Sequence, residues 1–126
     1  MVVDDCPDLV TIVRLLLEND GFNVMCAYNG TQLLDGLEKQ KPDLILLDIM
    51  MPKMDGMEVL TRLKGDPSTA SIPVILLTAK MLYEDVLEGY KLGADEYITK
   101  PFTRTQLMTS INRHLRGPIA NCRPLL

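Results

Sequence analysis

The sequence predicts an α/β protein built as a doubly wound parallel sheet, and three observations lead there. Short apolar runs alternate five times with longer stretches of helical period along 126 residues. The runs within 43–48 and 72–77 are continuous rather than alternating, the pattern of strands buried on both faces. Repeated strand-helix alternation implies right-handed crossovers that place helices on both sides of one sheet.

Each element has a local reason. Met1, Val2 and Val3 form a short first strand, cut off by Asp4 and Asp5. Residues 7–20 read as a helix, because Pro7 suits a first turn and Leu9, Val10, Ile12, Val13, Leu16 and Leu17 make a broad apolar stripe. Residues 22–27 read as a strand, and Asn29-Gly30 turns the chain into a helix over 31–40, ended by Pro42. The third strand, 43–48, ends on the lone carboxylate of Asp48 and runs into a Pro52-bearing loop. Asp55 and Glu58 pair as caps at the start of a helix over 56–64. Residues 65–68 are a loop, 72–77 a fourth strand, and 83–92 a short helix closed by Gly93. A fifth strand spans 97–99. Thr103 and Gln106 then form a capping box for a last helix ended by Gly117-Pro118, with Leu107, Met108, Ile111 and Leu115 on its apolar face.

Composition excludes several classes. With 47% hydrophobic and 24% charged residues the chain is globular, not disordered, and a net charge of −4 argues against a nucleic-acid surface. One domain is the default at this length. The three cysteines, Cys6, Cys26 and Cys122, are odd in number and widely spaced, which reads as reduced thiols. No apolar run approaches the roughly 18 residues a membrane span needs, and no signal peptide is visible. The expectation is a cytoplasmic chain with no membrane or direct nucleic-acid contact.

In a doubly wound sheet, ligands bind beyond the carboxyl ends of the strands. Those ends carry Asp4 and Asp5, Asp48, Thr78 and Lys100. Three carboxylates on one rim repel one another, and a hard divalent cation such as Mg²⁺ relieves that repulsion. The remaining carboxylate could act as a nucleophile, with Lys100 and Thr78 holding the oxygens of a transferred phosphoryl group.

The segments VVDD (2–5), DIMMPKMDG (48–56), TA (78–79) and GADEYITKPF (93–102), in this order and spacing, resemble the receiver domains of two-component response regulators. The resemblance covers about residues 2–116 and is carried by four motifs together. It implies a flavodoxin-like receiver fold, five parallel strands in order 2-1-3-4-5 with five helices, over residues 1–116, and an irregular tail over 117–126. It implies Asp48 as phosphoacceptor. Asp5, Asp4, Asp48 and the Met50 backbone carbonyl are implied as the Mg²⁺ site, with the Pro52 loop fixing that carbonyl. Lys100 is implied to pair with the phosphoryl group, Thr78 and Tyr97 to switch, and Lys100-Pro101 to be a cis bond. Met50 and Lys80 match positions that border the path of the hydrolytic water, and an apolar Met50 would slow loss of phosphate.

The resemblance also implies partners. A sensor histidine kinase or histidine phosphotransfer protein donates the phosphoryl group, and the face of fourth helix, fifth strand and fifth helix controls a downstream output protein or domain. A phosphorylation-dependent dimer through that face is one such output, although Gln106 and Ser110 stand where a charged pair would be expected. The loop over 63–75 looks more like receivers attached to cyclases or hybrid kinases. The ten residues after Arg116 are too few for an output domain. The chain is expected to catalyse only its own phosphorylation and dephosphorylation, not to be an enzyme acting on other substrates.

Plainer readings exist for each residue alone. Asp4-Asp5 could cap the first helix, Asp48 could be a turn residue, Thr78 a cap, Lys100 a solvated lysine and Tyr97 ordinary packing. His114, the sole histidine, reads as a solvated or half-buried helix residue, and the eight methionines as fillers of core and loop. Three alternatives to the switch are a degenerate receiver that binds partners constitutively, an aspartate-nucleophile phosphatase and a flavin- or nucleotide-binding module. The phosphatase would want an aspartate where Met50 stands. The nucleotide module would want a Gly-rich loop where the chain has Asp4-Asp5-Cys6-Pro7-Asp8.

Overall fold

The computed structural model describes residues 1–48, 56–78, 90–91 and 93–115, the side chains of residues 56, 57 and 78 excepted. In chain order these form β1 (Val2–Val3), α1 (Pro7–Asn19), β2 (Cys26–Ala27), α2 (Gly30–Lys39), β3 (Ile45–Asp48), α3 (Gly56–Gly65), β4 (Val74–Thr78), β5 (Glu96–Thr99) and α4 (Arg104–His114). All strand pairs are parallel, in the order β2-β1-β3-β4-β5. The expected doubly wound sheet is therefore present, with four helices among the described residues. The further helix expected over 83–92 lies outside them apart from Tyr90 and Lys91, which are helical.

The strands are buried on both faces because their side chains alternate between two cores. Val3, Ile45, Leu47, Val74 and Leu76 pack with Leu33 and Leu37 of α2 and Val59, Leu60 and Leu63 of α3. Their neighbours Val2, Leu46, Ile75 and Leu77 point the other way, onto Val10, Val13 and Leu17 of α1 and Leu107 and Ile111 of α4. A continuous apolar run is the only sequence that satisfies both sides at once.

One element differs from expectation. The second strand was expected over 22–27, but only Cys26 and Ala27 join the ladder. Its one partner is β1, itself two residues long; Phe22 and Val24 still pack on the α1 side of the core without pairing. Asn29 leads the chain into α2 as expected. It is the N-cap of α2, its side chain accepting the Gln32 N–H at 2.8 Å, while the Gln32 side chain accepts the Tyr28 N–H at 2.8 Å.

The short β1 is well tied. Backbone bonds run from Leu46 N–H to the Met1 carbonyl (2.8 Å) on the β3 side and from Asp4 N–H to the Ala27 carbonyl (3.2 Å) on the β2 side, so β1 is paired on both sides and the β2 pairing reaches Asp4. At the far end, the register Asp48↔Leu77 and Thr78↔Thr99 aligns the strand ends on one rim.

Candidate functional site

Asp4 follows β1 directly, Asp48 is the last residue of β3, and Lys100 follows β5. Parallel pairing in this register brings all three to the same rim, and their side chains meet. Asp4 is 1% exposed and Asp48 3%, so neither carboxylate can rely on water for solvation. Lys100 supplies the compensation. Its Nζ donates to Asp4 Oδ2 at 2.7 Å and lies 3.6 Å from Asp48 Oδ1. The other Asp4 oxygen, Oδ1, accepts the backbone N–H of Cys6 at 3.0 Å, at the start of α1. Asp5 is exposed.

One carboxylate oxygen from each of Asp4, Asp5 and Asp48 lies within 4.8 Å of the others. Among the described residues, one ammonium against three carboxylates leaves a surplus of negative charge on this rim. The donor set is all oxygen, which suits a hard cation that keeps several waters. Within it, Asp4 has both oxygens engaged, and the exposed Asp5 has the freer carboxylate. These residues fit Mg²⁺.

Residues 1–112 match the model of the family described as "Response regulator receiver domain". The chain belongs to the response regulator receiver domain family. Among solved structures, this receiver domain is similar to a signal receiver domain of a signal transduction histidine kinase from Syntrophus aciditrophicus. That likeness has 34% identity over 99% of this chain and 94% of the other, with a TM-score of 0.85. It is also similar to the N-terminal domain of a response regulator receiver protein from Methanoculleus marisnigri, with 41% identity, 97% and 95% coverage and a TM-score of 0.73. The chemotaxis protein CheY4 of Vibrio cholerae matches at 29% identity over 90% of this chain and 95% of its own, with a TM-score of 0.86. A receiver domain of a two-component response regulator works in general as a phosphorylation switch, and receiver domains in general bind Mg²⁺ in an acidic pocket and interact with histidine kinases and output domains.

The remaining residues singled out from the sequence are placed as follows. The Lys100-Pro101 peptide bond of this receiver is cis. Tyr97 is half-buried and packs against the core on the α2–α3 side, in register with Leu76. Thr78 ends β4, one residue beyond Leu77, the register partner of Asp48; its side chain lies outside the described residues. So do the Met50 carbonyl, the Pro52 loop, the Asp55 cap, Lys80 and the tail over 117–126. No helix among the described residues is long and apolar enough to cross a membrane.

One site feature was not read from the sequence, and one plainer reading of a site residue does not hold. The Cys6 backbone N–H that fixes Asp4 leaves no side-chain signature, since any non-proline residue could supply it. Asp4 itself is no cap for α1: the N-cap is Cys6, and the carboxylate faces Lys100.

Proposed function

We propose that this receiver domain takes a phosphoryl group from a phosphohistidine onto Asp48. The observation that carries the proposal is the buried Asp48 carboxylate with an ammonium 3.6 Å away and two further carboxylates at the same rim. A carboxylate oxygen of Asp48 forms a bond to phosphorus as the P–N bond to the donor imidazole breaks. The imidazole leaves with that electron pair and takes up a proton. Burial of β3 between two cores holds Asp48 rigidly for in-line attack.

Asp5 and Asp48, with Asp4 behind them, would hold Mg²⁺, as would the Met50 carbonyl. When bound, the ion neutralises charge on the oxygens of the transferred group. Lys100 shifts from Asp4 toward a phosphoryl oxygen, a short move for a side chain already between the two aspartates. The Thr78 hydroxyl takes a second oxygen, and Tyr97 turns in behind it, altering the surface around β5 and α4 to which an output protein or domain responds. A full switch needs about 5 kcal/mol of differential stabilisation, within reach of a few charge-assisted hydrogen bonds and a metal bridge. The donor is a histidine kinase or phosphotransfer protein, and the chain catalyses no reaction beyond its own phosphorylation and dephosphorylation.

Intact mass after incubation with acetyl phosphate tests this. The expected result is one phosphoryl adduct that requires Mg²⁺ and is lost in Asp48→Asn. A folded protein that forms no adduct, or forms the same adduct in Asp48→Asn, would refute it.

A further inference from the structure

A second polar cluster lies on α4, and the proposed chemistry does not use it. Glu96 opens β5, and its carboxylate oxygens are divided between partners. Oε2 accepts the Ser110 hydroxyl at 2.6 Å. Oε1 accepts Arg113 Nη1 at 2.9 Å and meets His114 Nε2 at 2.7 Å. Ser110, Arg113 and His114 are spaced i, i+3 and i+4, so they share one face of the last helical turns. The Ser110 side chain is buried and has no water to fall back on if Glu96 moves. Burial would raise the Glu96 pKa, yet hydrogen bonds from Ser110 and His114 and the charge of Arg113 outweigh it and hold the pKa below the ordinary carboxylate value.

The other end of α4 is held differently. Its capping box, Thr103 and Gln106, bonds only within the helix start and is exposed. Leu107 is the buried apolar anchor of that first half, and Ile111 that of the second. Residues 101–103 join this end to Lys100. A carboxylate satisfied by three donors from one helix cannot turn or slide without losing several bonds together, which fixes register.

We propose that Glu96 is a clasp that pins the C-terminal turn of α4 to β5, making that turn a pivot. Movement of Lys100 is then delivered to the N-terminal turn of α4, residues 104–107, while 110–114 stay in place. The pivot rests on the phosphorylation reading above; the clasp does not. Glu96 and Ser110 are here positioning residues for the output surface.

Amide hydrogen exchange along α4, read by NMR on the unphosphorylated protein, tests the clasp. Glu96→Gln keeps the side-chain shape and an acceptor, and Ser110→Ala removes the buried donor alone. Both should raise exchange at Arg113, His114 and Leu115 about tenfold or more, and at Leu107 and Met108 far less. Equal acceleration along the whole helix, or none, overturns the clasp. The pivot is tested on protein shown by mass to carry the phosphoryl group. Chemical-shift changes should concentrate at residues 104–107 in the wild type and spread to 113–115 in Glu96→Gln. A wild-type pattern that is uniform or reversed overturns the pivot. A chain that takes up no phosphoryl group overturns the reading of Asp48 and the pivot with it, and the exchange pattern still decides the clasp.

Discussion

Asp95 is the place where one substitution most cleanly tests how β4 and β5 are held in register. It sits just before β5, and it exchanges two bonds with Val74 at the start of β4. The Asp95 N–H donates to the Val74 carbonyl at 2.9 Å, and the Val74 N–H donates to Asp95 Oδ2 at 2.8 Å. The same carboxylate lies 3.5 Å from Lys64 Nζ at the end of α3. Val74 is fully buried, so Asp95→Ala leaves its N–H without an acceptor and without water. An orphaned buried donor costs about 1–3 kcal/mol. The lost ion pair adds little, roughly 0–1 kcal/mol, because Asp95 is a third exposed. Lys64 keeps the carbonyls of Ala70 (3.1 Å) and Ile72 (2.8 Å). The expected loss is about 2 kcal/mol, which lowers the urea midpoint by about 1 M. Asp95→Asn retains an oxygen for the Val74 N–H and should lose less than about 1 kcal/mol. Equilibrium urea unfolding of the three proteins at fixed Mg²⁺ measures both. If Asp95→Ala unfolds within about 0.5 kcal/mol of wild type, or if Asn is the worse replacement, the bond to Val74 is not what holds this corner.

Other substitutions probe the site and its frame. Lys100→Ala removes the ammonium that bridges Asp4 and Asp48; the initial rate of phosphoryl uptake should fall about ten- to a hundredfold while the far-UV spectrum is kept. Mg²⁺ should raise the thermal midpoint of the wild type, and Asp5→Asn should blunt that rise, because Asp5 has the freest carboxylate of the cluster. Gly93 has φ +107°, and a Cβ there would lie 2.9 Å from Lys64 Cγ, so Gly93→Ala should cost about 2 kcal/mol in urea unfolding. Glu96 has a folded pKa below its unfolded value of 4.5. Its contribution is therefore fully present above that value and is lost as pH falls through the folded pKa. Stability measured from pH 6 down to pH 3 should fall less steeply in Glu96→Gln than in the wild type.

Much of this architecture was legible because one residue pattern had one physical solution. The runs ending at Asp48 and Leu77 feed two cores by alternation, and only a central parallel strand does that. The capping box of Thr103 and Gln106 is made in both directions, as its spacing requires. Pro7 stands in the first turn of α1, where its missing N–H costs nothing. What escaped was set by tertiary pairing. Phe22 and Val24 look like strand residues, but β1 is too short to pair with them. Ser110 read as a surface position of the output face, yet it is 5% exposed and bonded to Glu96. The expectation of a half-buried His114 fits its placement, but its bond to Glu96 could not be read, since the partner lies 18 residues away on another element. The convergence of Asp4, Asp48 and Lys100 was inferable from topology; that Lys100 rests closer to Asp4 than to Asp48 needed coordinates.

The most direct measurement locates the phosphoryl group. The protein would be treated with acetyl phosphate and Mg²⁺ and reduced with borohydride, which converts an aspartyl phosphate to homoserine, then digested and sequenced by tandem mass spectrometry. The account predicts homoserine in place of Asp48 and at no other aspartate. Homoserine in place of Asp4, Asp5 or Asp55, or a phosphate that survives reduction on a serine or threonine, would contradict it.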